Sequence, residues 1–286
     1  MKTDEARGAP GAPEGGRPTL RPRWWREVLY MAAFYGVYTA VRDTQGSAGG
    51  GTNGTSAVVA FHHARQVIHA ERDLLLYHER QIQHFFLAHM GSLTRPFFQF
   101  WDIWYGSAHF VVTIGVAIWL FRRDPVRWTV MRNILAVTTA LALIGFASYP
   151  LMPPRLLDFP FPNIGAHAPY GFVDTLVRYG GSWSFDSHTM QKVSNQFAAM
   201  PSLHIGWSVW CTLAVYPSCK RWWTKALAVA YPIVTLFAIV VTANHYFLDA
   251  AGGLLILALA ALIATPLTRR VHAWHARRVG AALTPA

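Results

Sequence analysis

ILAVTTALALIGFASY, residues 134–149, runs for sixteen residues without a charge. Its reading decides the fold. A helix needs about 20 mostly apolar residues to cross a bilayer, and this run extends back through Trp128 to reach that length. Comparable stretches recur along the 286-residue chain, which is 53% hydrophobic and only 14% charged. A soluble domain of ordinary composition carries about a quarter charged residues. The missing charge is concentrated in these stretches, with Arg and Lys gathered between them.

Working outward from 134–149, apolar spans are expected near Trp25–Val41, Phe97–Phe121, Trp128–Tyr149, Met200–Tyr216, Trp222–Thr242 and Tyr246–Pro266. The expected fold is all-α: an integral membrane six-helix bundle with an additional interfacial amphipathic helix over 57–90. In that helix Ile68, Leu75, Ile82 and Phe86 share one face, opposite Gln66, His69, Asp73, Arg80 and His84, which suits the membrane interface. Its histidines fit a solvated polar face better than a metal site. Residues 1–22 (including GAPGAPEGGRP) read as a disordered cytoplasmic tail, 23–270 as the membrane domain and 271–286 as a basic cytoplasmic tail. GSAGGGTNGTS at 46–56 reads as a flexible linker, and its Asn53 sequon as accidental. The first span lacks a small-residue cleavage pattern and reads as an uncleaved anchor.

The net charge of +11 does not point to nucleic acid. The basic residues flank apolar spans, where they set orientation, instead of forming a folded basic surface. Arg21, Arg23 and Arg26 precede the first span. Arg122, Arg123, Arg127 and Arg132 surround the second turn, Lys220, Arg221 and Lys225 the fourth, and Arg269, Arg270, Arg277 and Arg278 follow the last. Six crossings put all four clusters on one side, which the positive-inside rule makes cytoplasmic. Segments 42–96 and 151–199 then face outward. Cys211 and Cys219 are too few for a disulfide framework and lack metal-ligand spacing.

Four polar features meet at the outer face under that topology: Pro153-Pro154-Arg155, Pro201-Ser202-Leu203-His204, His245 and Asp249. Ionisable residues at the ends of apolar spans are costly and mark function. His245 and Asp249, four apart, share a helical face. The carboxylate can fix the ring's tautomer and leave the other nitrogen as a nucleophile or base, although many such pairs are plain helix contacts. Pro201 suits a first helical position, and Ser202 with the free N–H groups of a helix start makes an anion site. His204, one turn in, can protonate a leaving group or simply bond a neighbouring span. Arg155 carries a planar fork suited to phosphate, stiffened by two prolines, against the alternative of a snorkelling arginine. Asp102, Tyr105 and His109 fall on one face of the second span, as ligand contacts or as an interhelical seam.

P-S-L-H at 201–204 followed by H-Y-F-L-D at 245–249 resembles the type 2 phosphatidic acid phosphatase superfamily. Glu79, Tyr105 with His109, Tyr149-Pro150 leading to Pro153-Pro154-Arg155, Phe172-Val173-Asp174 and Ala198-Ala199-Met200 look like its inositol-phosphorylceramide-synthase-like subgroup. The resemblance spans about residues 70–260. It implies phosphoryl transfer without metal or cofactor: His245 attacks phosphorus to form a phosphohistidine, Asp249 orients it, and His204 protonates the leaving oxygen. Water or another hydroxyl then takes the group. The family's phosphatases have an arginine six residues before the nucleophile, where this chain has Ile239. Arg155 is the best substitute in the phosphate clamp, with Ser202 and backbone N–H groups behind it and Lys192 and Asn195 in support. The expected partners are a membrane lipid and a hydroxyl acceptor or water, with a phospho-head group such as phosphoinositol moved. Hydrolysis of a lipid phosphate or polyprenyl diphosphate is the alternative, and a lipid-binding or transport scaffold a more distant one. No paired, interrupted repeat of the transporter kind is visible.

Overall fold

A computed structural model describes residues 23–30, 32, 33, 36, 55–161, 164, 165, 167–180 and 197–282. Among these the regular secondary structure is all helical, without a strand. α1 is Thr55–Asp73, α2 Glu79–His89, α3 Thr94–Ile103 and α4 His109–Arg123. α5 is Pro125–Ser148, α6 Thr175–Tyr179, α7 Leu203–Val215, α8 Trp222–Val241 and α9 Phe247–Ala282. Four segments are long and apolar enough to cross a membrane: Gly91–Arg123, Pro125–Ser148, Trp222–Val241 and Phe247–Trp274. Their outer faces remain apolar, with Ile114, Ile144, Ile233 and Leu262 all more than half exposed. This is a membrane protein's surface, since lipid rather than water meets those side chains.

Two sequence expectations change. The expected fourth span contains α7 of only 13 residues, about 20 Å at the α-helical rise, continued by a 3-10 turn at Tyr216–Ser218. α7 fills the centre, packed against α4, α5, α8 and α9, with Trp210 fully buried. The expected single helix over 57–90 is two. α1 stops at a left-handed Leu75 (φ 58), with Leu76 N–H donating to Glu71 O at 2.7 Å. That bond and the reversed residue form a helix-ending turn usually marked by glycine. Leu75, expected on the apolar face, is thereby left exposed. Of the expected first span, the described residues 24–30 are helical; its remainder falls largely outside the described residues.

Buried polar contacts lock the bundle together. Glu27 accepts hydrogen bonds from Trp128 Nε1 (3.0 Å) and from Arg132, fastening the N-terminal helical residues to α5. Pro232 in α8 has no N–H to give Ala228 O, and Thr212 Oγ1 of α7 donates to that carbonyl instead, at 2.6 Å. At the other end of the bundle the Pro201-Ser202 turn is lodged between α5 and α9. A Cβ on Gly145 would stand 2.5 Å from Pro201 Cδ, and one on Gly253 would collide with Ser202 O. These two glycines let the turn before α7 sink between the long helices.

Candidate active site

Three side chains from two segments form a continuous run. Asp249 Oδ2 lies 3.2 Å from His245 Nδ1, and His245 Nε2 lies 3.3 Å from His204 Nδ1. All three are sequence-expected residues. Their local frame differs from the sequence reading. His245 precedes α9 and does not share a helix face with Asp249. Asp249 is the third residue of α9 and reaches back to accept Tyr246 N–H at 2.9 Å as well, which is half of a capping box. Pro201 lies ahead of the helix; Ser202 is the N-cap and His204 the second residue of α7. Ser202 Oγ and His204 Nε2 are buried without a hydrogen-bond partner among the described residues.

Residues of the second long segment close over His204. The Tyr105 ring stacks on it at 4.4 Å and the His109 ring meets it at 4.3 Å between centroids. Asp102 does not join them. Trp104–Ala108 is a π-helical turn, and its extra residue rotates the residues beyond it by roughly 100° relative to an unbroken α-helix. The expected single stripe is therefore split. Asp102 is buried and accepts Thr175 Oγ1 at 2.8 Å.

Arg155 approaches from the side. Its Nε donates to Asn244 Oδ1 at 2.9 Å and its Nη1 to Asp174 Oδ2 at 2.7 Å, while its N–H donates to Ala243 O at 2.8 Å. It thus grips the residues just before His245, and Asp174 offsets part of its charge. Ile239 is fully buried among Ile205, Val240 and Ala250. Its carbonyl accepts the N–H groups of both Asn244 and His245, so position 239 serves the turn through its backbone. Lys192 and Asn195 lie outside the described residues.

The structure brings four further residues to this turn, of which the sequence resemblance named only Glu79 and Asp174, without a role. Asn244 and Asp174 hold Arg155, as above. Glu79 Oε1 accepts Phe247 N–H at 3.0 Å, and Glu71 Oε1 accepts Leu248 N–H at 2.7 Å. Together with Asp249, these two fully buried glutamates occupy the first N–H groups of α9, where negative charge is favoured. Burial pushes the Glu71 carboxyl up to about 9, and the neighbouring Glu79 pushes the same way, so the pair shares a proton at neutral pH. One signal existed: Glu71 continues the buried stripe of Ala57, Ala60, Ala64, Val67 and Ile68, a place where a lone acid is costly.

A carboxylate–imidazole–imidazole run of this kind can hold one ring nitrogen as a nucleophile and use the second ring to move a proton. No curated protein and no solved structure matches the chain. A family model, described as PAP2 superfamily, matches residues 65–263. The match reaches from before Glu71 in α1 to the middle of α9 and takes in every residue that meets at the His245 turn; the chain belongs to the PAP2 superfamily.

Proposed function

We propose that the protein is a membrane phosphotransferase that moves a phosphorylated head group, of the phosphoinositol kind, between a lipid donor and a hydroxyl acceptor through a phosphohistidine at His245. Membership of the superfamily supports the coarser part, an enzyme of the phosphatase and phosphotransferase type acting on lipid phosphates. The observation that supports the phosphohistidine step is the run Asp249–His245–His204. Asp249 holds Nδ1–H, leaving Nε2 with its lone pair directed at His204. Substrate entry parts the two rings. Nε2 then bonds to phosphorus as the bond from phosphorus to the leaving oxygen breaks, and protonated His204 gives its proton to that oxygen. The negative charge of the phosphate favours that protonated form. In the second half a hydroxyl attacks phosphorus and returns its proton to His204, and the N–P bond breaks.

Arg155, Ser202 Oγ and the N–H groups at the start of α7 hold the equatorial oxygens, where such catalysis does most of its work. Tyr105 and His109 face the donor head group, and Lys192 and Asn195 are proposed to complete the substrate pocket, while Asp102 holds Thr175 behind it. Every step is assigned to this chain's own side chains, so turnover is expected to persist in excess chelator. The proposed arrangement has six crossings, both termini cytoplasmic and the site on the extracytoplasmic side. His245 is 3% exposed and walled by Tyr105, which supports transfer over hydrolysis because a phosphohistidine there is shielded from water. Hydrolysis of a lipid phosphate or polyprenyl diphosphate is the second reading.

The test is turnover by purified wild type and His245→Ala on lipid phosphates, diphosphates and phosphoinositides, with and without free hydroxyl acceptors. Lipid products and released phosphate are both followed. Acceptor-dependent lipid product from wild type alone is expected. Released phosphate without new lipid identifies the hydrolase, and equal turnover by both proteins removes His245 as nucleophile.

A further inference from the structure

The end of α1 and the start of α2 set buried acids beside exposed bases. Glu71 and Glu79 turn inward to the start of α9, fully buried. The residues next to them in the chain, Arg72 and Arg80, are exposed. With Arg65, two turns earlier on α1, they line a half-open cavity of about 360 Å³, completed by Tyr77 and by His167 and Tyr170 of the loop between α5 and α6.

Three guanidinium groups in one small cavity repel one another unless something negative joins them. No ion pair links Arg65, Arg72 or Arg80 to a carboxylate among the described residues. Asp158, which does reach the loop, uses both oxygens on the N–H groups of Tyr170 and Gly171, at 2.7 and 2.6 Å. The loop is shaped around Arg80. Gly171 has φ +80, and a Cβ there would stand 2.9 Å from Arg80 Nε. The Arg72 guanidinium lies over the Tyr77 ring at 5.0 Å. Burial pushes the Tyr77 phenol up to about 12, so it meets a ligand as a neutral O–H donor. Planar Arg forks, a phenol and an imidazole together match the several oxygens of a phosphate.

We propose that this cavity, whose lining shares no residue with the His245 centre, is a second anion site, and that it takes a phosphate-bearing group, either the head group of an anionic lipid at the bilayer surface or a free phosphate. The proposal concerns binding alone and stands whether or not His245 is the nucleophile.

Arginine-specific labelling with phenylglyoxal, quantified peptide by peptide, tests it on the full chain. Three conditions are compared: nanodiscs of phosphatidylcholine alone, the same discs with inorganic phosphate, and discs containing phosphatidic acid. Arg65, Arg72 and Arg80 are expected to label more slowly in one or both anion conditions, roughly tenfold at an anion concentration about ten times its dissociation constant. Exposed Arg178 should be unaffected. Protection by inorganic phosphate identifies a free anion, and protection by phosphatidic acid alone identifies the lipid. The same protection is expected in His245→Ala. Equal labelling in all three conditions, equal slowing at Arg178, or loss of protection in His245→Ala would each overturn the proposal.

Discussion

At the scale of single residues, the proposed chemistry depends on one carboxylate with two tasks. Asp249 Oδ2 faces His245 Nδ1 and also accepts Tyr246 N–H. An amide in its place keeps much of the cap but can no longer hold the ring in one tautomer with Nδ1 protonated. Asp249→Asn is therefore expected to fold and insert normally and to lose about 10²-fold or more in turnover; a near-wild-type rate in the lipid assay would remove the orienting role. Glu71 makes a different prediction. An acid whose folded pKa is raised stabilises the folded state below its unfolded pKa, and that stabilisation is lost as pH rises toward the folded value. For Glu71 the window runs from 4.5 to about 9. Thermal unfolding midpoints in detergent should fall across this window in wild type. The fall should be smaller in Glu71→Gln, which stays neutral and can still accept Leu248 N–H. Equal pH slopes would mean that Glu71 is ionised in the folded protein.

At the scale of elements, each helix end near the site serves a neighbour as well as itself. The start of α9 is capped by side-chain carboxyl groups from α1 and α2, which ties both helices to the His245 turn. The π turn at Trp104–Ala108 lets one segment offer Asp102 to α6 and Tyr105 and His109 to α7. The Pro232 carbonyl gap in α8 is closed from α7 by Thr212. Thr212→Val keeps the shape and leaves Ala228 O without that donor inside the bundle. It is expected to cost about 1–2 kcal/mol, read as a lowered thermal midpoint in detergent with the Michaelis constant unchanged. An unchanged midpoint would show that α8 does not need the bond.

At the scale of the whole molecule, the basic turns gather at one end and the polar site at the other. Arg127 Nη2 donates to Leu213 O, Glu27 joins Arg132, and Thr129 Oγ1 lies 3.4 Å from His272 Nε2, all at the end opposite Arg155, His204 and His245. In the proposed topology the basic end is cytoplasmic, as the charge rule expects. A cysteine placed at exposed Val177, with Cys219 replaced by serine, should react with an impermeant maleimide in intact cells; protection there, with reaction only after permeabilisation, would invert the topology.

The sequence by itself determined the helical class and the membrane setting, and it named the side chains proposed to react. Those rest on local quantities: apolar run length, charge between runs, and the short motifs around His204 and His245. It did not reveal where the helices stop or turn. The break at Leu75 lacks the glycine that usually marks it, and the π turn after Asp102 leaves no trace in residue type. The length of α7 is set by how deeply the Pro201-Ser202 turn sinks against Gly145 and Gly253. Only the tertiary structure decided that Glu71 and Glu79 cap α9, that Arg155 grips Asn244, and that Asp102 faces Thr175. The physical reason is that these pairings join positions 73 to 177 residues apart, while periodicity and motif spacing report only on neighbours within a few turns.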